Sequence, residues 1–171
     1  FIGAPHAVGV ASGLDALILA LEALGVGSGD EVITSANTFI ATAYAISAVG
    51  AKPVLVDCDE ESWNLDPTQL EKAITPKTKA ILVVHIFGQS ADMAKISKIA
   101  KEHNLKIIED ACESICAQHK GRKVGTFGET AVFAFYPNKQ MTTAEGGMIV
   151  MNDKKTYKLC DSLRNQGRTE N

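Results

Sequence analysis

Residues 79–87 read KAILVVHIF, and every residue between Lys79 and His85 is apolar. A continuous apolar run of this length is typical of a β-strand that is buried on both faces. Such strands belong to parallel sheets in which crossover connections place helices on either side. We therefore predict a buried strand over residues 79–87 at the centre of an α/β sheet.

The segments on both sides of this strand alternate between helical and extended patterns. Residues 91–103 predict an amphipathic helix, and residues 105–108 predict a strand that ends in Glu109-Asp110. This alternation predicts a three-layer α/β/α fold with a mainly parallel mixed sheet, and a final strand–loop–strand order indicates one antiparallel member or a hairpin. Further strands are predicted at 6–11, 31–34, 53–56, 130–135 and 147–151, and further helices at 14–24, 38–49, 66–74 and 154–163.

Composition excludes several classes of function. The chain has 171 residues, a net charge of −3 and a pI of about 5.8, which makes nucleic acid and anionic membranes poor partners. No apolar run is long enough to span a bilayer. The four cysteines lack a paired zinc spacing, which favours free thiols in the cytoplasm. The chain begins at Phe1 rather than Met, and we expect it to be part of a longer protein.

Ligands of open α/β sheets bind at the carboxyl ends of the strands, and three features stand there. Ser12-Gly13 begins a helix after the first strand and is either a phosphate site or an ordinary tight turn. Asp110 ends a buried strand and is either a structural ion pair or helix cap, or the charge partner of a cofactor. Lys139, in FYPNK, is either a surface lysine or a desolvated amine suited to Schiff-base chemistry. Pyridoxal phosphate (PLP) enzymes use such a lysine–acid pair.

Other candidates have structural explanations of equal or greater weight. His85 and Gln89 also follow a buried strand, and a histidine tied to the backbone there is at least as good an explanation as catalysis. Cys112 and Cys116 are four residues apart, but buried thiols are favoured over a zinc site. Structural or solvent-facing roles are expected for His6, His103 and His119.

Six ordered stretches resemble one enzyme family over nearly the whole chain. They are HAVGVASGLDALILALEALGVGSGDEVIT, ANTFIATAYAI, LDPTQLEKAITPKTKAILVVHIFGQSADM, IIEDACES, HKGRKVGTFGETAVF and FYPNKQMTTAEGGMIV. The chain thus resembles the DegT/DnrJ/StrS family of PLP-dependent sugar aminotransferases. The resemblance implies that residues 1–171 form the large PLP-binding domain of a fold-type-I aminotransferase. It also implies transfer of an amino group from glutamate to a keto-sugar nucleotide.

The resemblance assigns roles by position. Lys139 matches the lysine that holds PLP as a Schiff base, and Asp110 matches the aspartate that faces the pyridinium nitrogen. Phe39 matches the aromatic residue that stacks on the cofactor ring, and Glu113 matches a position, commonly Gln or His, near the phenolic oxygen. The phosphate-binding turn is Ser12, Gly13 and Leu14.

The chain departs from the family pattern at four positions. Leu14 and Ala134 replace residues that are often Thr and Ser, so two phosphate contacts are missing. Glu113 replaces Gln, and Ala144 replaces Gly. Because the lysine is present, an aminotransferase is favoured over a sugar dehydratase of the same fold, in which histidine replaces it. A non-catalytic regulatory relative is the third interpretation.

The family also implies partners and missing parts. A helical segment would precede Phe1, a smaller domain would follow Asn171, and the complete protein would be a cytoplasmic homodimer with active sites at the subunit interface. We therefore expect the isolated chain to have little turnover.

Overall fold

The computed structural model describes residues 1–169 and shows a seven-stranded sheet flanked by helices. The strands are β1 (His6–Val10), β2 (Glu31–Ser35), β3 (Lys52–Val56), β4 (Thr78–Val84), β5 (Lys106–Asp110), β6 (Gln118–His119), β7 (Arg122–Lys123), β8 (Thr130–Ala134) and β9 (Gly147–Met151). The helices are α1 (Gly13–Ala23), α2 (Ile40–Ala48), α3 (Leu70–Ala73), α4 (Met93–Glu102) and α5 (Lys154–Arg164), with 3₁₀ turns at Pro67–Gln69 and Ile86–Gly88.

The order of strands in the sheet is β1-β9-β8-β5-β4-β2-β3. The pairs from β8 to β3 are all parallel, whereas β9 is antiparallel to both of its neighbours, β8 and β1. This confirms the predicted mixed sheet with one antiparallel member. Because β2, β4, β5 and β8 run in one direction, their carboxyl ends meet at a single edge of the sheet.

Helices cover both faces of the central strands, which confirms the three layers. Leu82 faces the layer of α1, α2 and α5, where it joins a core that includes Leu17 and Ile46. Its neighbours in β4 point the other way, and Ile81 packs with Ile96 of α4. Alternate residues of one strand thus enter two separate cores, which explains why residues 80–84 are apolar without interruption.

The long connection between β5 and β8, which contains no helix, covers one face of β8 and β9. Phe133 and Val150 pack there with Val124 and Ile115, which lie in the long connection between β5 and β8. The short hairpin of β6 and β7 lies in this connection.

Polar caps and glycines set the ends of the helices. The side chains of Ser12, Asp92 and Asp153 accept hydrogen bonds from backbone N–H groups in the first turns of α1, α4 and α5. Gly25 and Gly50 follow α1 and α2 with φ of 73° and 82°, the left-handed conformation in which helices often end.

Some predicted boundaries were wrong. The central strand ends at Val84 rather than residue 87, because the chain turns at His85 into the 3₁₀ turn. The helix predicted at 66–74 is only a 3₁₀ turn followed by the four residues of α3. The β6–β7 hairpin was not predicted. Among residues 1–169, no helix has both the length and the apolar character needed to cross a bilayer.

Gly147 allows β9 to pass the start of α1 at very close range. A Cβ atom at this position would lie 2.2 Å from the carbonyl oxygen of Ser12, and the clash could not be relieved by a side-chain rotation because that oxygen belongs to the backbone. We expect Gly147→Ala to lower the free energy of unfolding by about 3 kcal/mol, measured by urea denaturation. Gly9 is the matched control, because it lies in the adjacent strand β1 and has no atom within 4 Å of an added Cβ. Equal, small effects at both glycines would contradict this account.

Candidate active site

A cavity of about 620 Å³ opens at the edge where the parallel strands end. Its wall combines the start of α1, the segment before α2, the turn after β4, the end of β5 and the loop after β8. The residues lining it include all seven predicted site residues: Ser12, Gly13, Leu14, Phe39, Asp110, Glu113 and Lys139. Sequence positions as far apart as 12 and 139 thus meet in one place.

The start of α1 presents free backbone N–H groups to this cavity. The hydroxyl of Ser12 accepts the N–H of Asp15 at 3.0 Å and donates to the Asp15 carboxylate, so it caps the helix. The first bond of the helix runs from the N–H of Ala16 to the carbonyl of Ser12. This arrangement leaves the N–H groups of Gly13 and Leu14 available for an anion, with the positive end of the helix dipole behind them.

Gly13 is required by its surroundings. A Cβ atom there would lie 2.6 Å from the Cβ of Ala134 and 3.3 Å from the Sγ of Cys112. The helix start therefore approaches the end of β8 as closely as a residue without a side chain permits.

Asp110 places a carboxylate at the inner end of the cavity. The residue is 7% exposed. Oδ2 accepts the hydroxyl of Thr42 at 2.9 Å, and Oδ1 accepts the N–H of Cys112 at 3.2 Å. No lysine, arginine or histidine of the described chain lies within ion-pair distance of it. A buried carboxylate with neutral partners only is costly, so this position is well suited to a bound cation.

The thiol beside Asp110 carries no charge. Burial raises the pKa of Cys112 well above its usual range, and the negative charge of Asp110 raises it further. The thiol therefore stays protonated and does not compete with Asp110 for a cationic ligand.

Lys139 enters the cavity from the loop that follows β8. Its Nζ lies 3.1 Å from Oε1 of Glu113, and the side chains of the lysine and the glutamate are 15% and 33% exposed. The other glutamate oxygen, Oε2, accepts the N–H of Phe87 at 3.3 Å. The structure thus pairs the amine with Glu113, a contact that the sequence analysis did not predict.

Exposed aromatic rings stand around the mouth of the cavity. Phe39 is 72% exposed and directly precedes α2, while Phe87 is 78% exposed and Tyr136 is 51% exposed. All three line the cavity. The ring of Phe39 is therefore free to cover a flat ligand.

His85 has a structural role in this arrangement. Its ring is fully buried, Nδ1 accepts the N–H of Ala91, and Nε2 lies 3.1 Å from Oε2 of Glu109. Glu109 in turn accepts N–H groups from Gly125, Phe127 and Gly128. Both ring nitrogens are occupied, so the backbone-tied alternative holds for His85.

Three further sequence candidates, Gln89, Cys116 and His6, do not line this cavity. Gln89 is exposed and does not line it, and Cys116 is exposed. Within residues 1–169, no group of three or more His, Cys, Asp or Glu side chains could hold a metal ion. His6 stacks on Tyr157 at 5.0 Å.

Sequence reasoning missed Thr42. Its hydroxyl binds both Asp110 and, at 2.8 Å, Thr38. A signal was present, because Thr38 and Thr42 are four residues apart and would share one face of the helix predicted over residues 38–49.

A sequence profile of the DegT/DnrJ/EryC1/StrS aminotransferase family matches residues 1–171. The chain belongs to this family.

Individual family members agree with the match. The chain is 47% identical over 171 residues to the GDP-perosamine synthase of Caulobacter vibrioides, covering 100% of this chain and 46% of that protein. It is 49% identical over 165 residues to a pleiotropic regulatory protein of Geobacillus stearothermophilus, covering 96% of this chain and 44% of that one. The chain therefore spans a little under half the length of these family members.

Solved structures confirm the aminotransferase fold. The crystal structure of Streptomyces venezuelae DesV in complex with a ketimine intermediate superposes with a TM-score of 0.96 at 45% identity, covering 99% of this chain and 46% of that one. A 3-amino-5-hydroxybenzoic acid synthase superposes with a TM-score of 0.95 at 40% identity, covering 98% of this chain and 44% of that one.

Proposed function

We propose that residues 1–171 form the large PLP-binding domain of a longer aminotransferase. In this proposal the enzyme transfers an amino group from glutamate to a keto-sugar nucleotide. The observation that carries it is that one cavity contains both the amine of Lys139 and the buried carboxylate of Asp110, which has no cationic partner among residues 1–169. Two family members that are named as dTDP-sugar transaminases support the substrate class, and a third is named a GDP-perosamine synthase.

The residues of the cavity fit PLP. Its volume of about 620 Å³ lies in the range of small-molecule sites. The N–H groups of Gly13 and Leu14 would hold the phosphate, the carboxylate of Asp110 would face the pyridinium nitrogen, and Nζ of Lys139 would hold the aldehyde carbon. Ala134 and Leu14 supply no hydroxyl, so we expect the backbone to provide more of the phosphate binding than is usual in the family.

Each residue then has a defined task. When bound, PLP supplies a reactive aldehyde and a ring that accepts electrons. Asp110 stabilises positive charge at the inner end of the cavity, and Thr42 holds that carboxylate in place. Nζ of Lys139 would hold the cofactor and would carry a proton during amino transfer. Phe39 would cover one face of the ring and exclude water, and Glu113, which lies beside Lys139, would stand near the phenolic oxygen.

The proposal includes a cytoplasmic homodimer. Phe39, Phe87 and Tyr136 leave apolar surface exposed around the cavity, and Tyr44 on α2 is also exposed. Clustered exposed aromatic residues are typical of a surface that another protein covers. This supports a second subunit placed against the mouth of the site.

A regulatory role is the second candidate, because the Geobacillus relative is named a regulatory protein. The retained Lys139 and Asp110 favour catalysis over this role. The sugar dehydratase interpretation is disfavoured by Lys139.

The test is the first half of the reaction. The full-length protein, loaded with PLP and given glutamate without an acceptor, should release one 2-oxoglutarate per site while the absorbance of bound PLP is lost. A regulatory protein would bind PLP without this stoichiometric exchange. Absence of 2-oxoglutarate from a PLP-loaded protein would contradict the proposed function.

A further inference from the structure

One buried hydroxyl in the wall of the cavity is bonded to two different parts of the site. Thr42 is 1% exposed, and its Oγ1 lies 2.9 Å from Oδ2 of Asp110 and 2.8 Å from Oγ1 of Thr38. A hydroxyl has one proton and a carboxylate only accepts, so Thr42 donates to Asp110. Thr38 must then donate to Thr42. The two threonines thus form a chain of hydrogen bonds with one direction, which ends on the buried carboxylate.

The inner end of this chain fixes the direction of the Asp110 carboxylate. Its other oxygen, Oδ1, is held separately by the N–H of Cys112 at 3.2 Å. Thr42 lies in α2 and Cys112 follows β5, so two donors from different elements together oppose rotation of the carboxylate. Each donor occupies one lone pair of its oxygen, and the second lone pair of each oxygen remains for a cation in the cavity.

The outer end of the chain helps to hold the segment that carries Phe39. This residue directly precedes α2, and its side chain does not cap the helix. Its ring is 72% exposed, so the ring itself makes little contact with the described chain. The bond between Thr38 and Thr42 ties the residue before Phe39 to the buried face of α2, one turn further along. The position of the ring at the mouth of the cavity therefore depends on this bond.

We propose that Thr42 is a positioning residue that sets how tightly the site holds the ring of the cofactor. This inference rests on the proposed function. Asp110 would face the ring nitrogen and Phe39 would cover a face of the same ring, so these two residues must keep a fixed spacing. The hydroxyl of Thr42 connects them, directly on one side and through Thr38 on the other. Thr42 acts on the ring through these neighbours.

The test measures the dissociation constant of pyridoxamine phosphate, the amine form of the cofactor, for the full-length protein freed of PLP. This probe forms no covalent bond to Lys139, so its affinity reflects the contacts to the ring and the phosphate. Thr42→Val keeps a similar shape but loses the hydroxyl, and it should raise the dissociation constant about tenfold, as expected for one hydrogen bond to a charged group. Thr42→Ser keeps the hydroxyl and should bind nearly as tightly as the wild type.

The outer threonine is tested in the same way. Thr38→Val should raise the dissociation constant by a smaller factor than Thr42→Val, because Asp110 keeps its bond to Thr42 while the segment of Phe39 is released. Wild-type affinity in Thr38→Val would overturn the connection to Phe39.

A role through Asp110 can be separated from a general effect on packing. In an Asp110→Asn background, Thr42→Val should change the dissociation constant much less than in the wild type, because the charge that the hydroxyl orients is gone. Thr34→Val is the matched control. Thr34 is 0% exposed and its hydroxyl donates to the carbonyl of Leu82 at 2.9 Å, but it does not line the cavity. It should bind the probe as the wild type does, and circular dichroism verifies that the variants are folded.

Three outcomes would contradict the role of Thr42. Equal dissociation constants for Thr42→Val and the wild type would overturn this inference and leave the proposed function intact. An equal loss of affinity in Thr34→Val, or the same effect of Thr42→Val with and without the Asp110 charge, would also overturn it, because either result indicates a general effect on the fold. Failure of the wild type to bind pyridoxamine phosphate would overturn both this inference and the proposed function.

Discussion

Replacing Lys139 with alanine is expected to lower the rate of amino transfer by about 10³-fold or more. Nζ of Lys139 is the amine that the structure brings into the cavity beside Glu113. Without it, the aldehyde has no covalent anchor and no group to move the proton. The measurement is the rate at which glutamate discharges the absorbance of PLP in the full-length protein.

Two further variants test whether the loss of activity comes from the missing amine rather than from the missing charge or from a general effect of removing a lysine. Lys139→Arg keeps the positive charge beside Glu113 but lacks a nucleophilic amine, so it should be as inactive as the alanine variant. Lys158→Ala removes an exposed lysine of α5 and should leave the rate unchanged. Substantial activity in either Lys139 variant would remove this residue from the proposed mechanism.

Replacing Asp110 with asparagine is expected to lower the same rate by about 10²-fold and to weaken PLP binding. The carboxylate is buried and accepts hydrogen bonds from the hydroxyl of Thr42 and the N–H of Cys112, so the amide can occupy the space but carries no charge. An opposite charge next to a buried cation shifts its proton equilibrium by one to three units, or about 10- to 10³-fold. The absorbance maximum of the bound cofactor should change as well.

Asp57 provides the matched control. It follows β3 as Asp110 ends β5, and its Oδ1 likewise accepts a backbone N–H, from Cys58 at 2.9 Å. It is exposed and lies outside the cavity. Asp57→Asn should therefore have normal kinetics. Near-normal transfer by Asp110→Asn, with PLP bound at the same affinity, would contradict the role assigned to this carboxylate.

The apolar pattern of residues 80–84 predicted the sheet, because a strand that is buried on both faces needs apolar residues at every position. The end of the same strand was not predictable in this way. Ile86 and Phe87 continue the apolar run, but the chain turns there because Asn64, 22 residues earlier, binds the N–H of Ile86. The pattern of apolar residues in the sequence indicates which residues are buried, but it does not indicate a hydrogen bond between distant segments.

The missed hairpin has a local explanation. Its turn, Lys120-Gly121, has φ of 50° and 82°, so both residues are left-handed. Asn-Gly is the usual sequence for such a turn, and lysine gives a weaker signal. Each strand has only two residues, which is too short for an alternating pattern.

The candidate site was predictable to the extent that its residues follow strands. Asp110 and Lys139 were found by position, because parallel strands bring their carboxyl ends together. The contact between Lys139 and Glu113 was not foreseen from the residues, since it depends on how the loop after β8 folds back over β5. Thr42 was missed because its partner, Asp110, is 68 positions away.

The central claim is that Lys139 is the residue to which PLP binds covalently. The most direct measurement is to load the full-length protein with PLP, reduce it with borohydride, digest it and locate the modified lysine by mass spectrometry. We predict one label per chain, on the peptide that contains Phe135-Tyr136-Pro137-Asn138-Lys139. A label on another lysine, or no label on a folded protein saturated with PLP, would contradict the account.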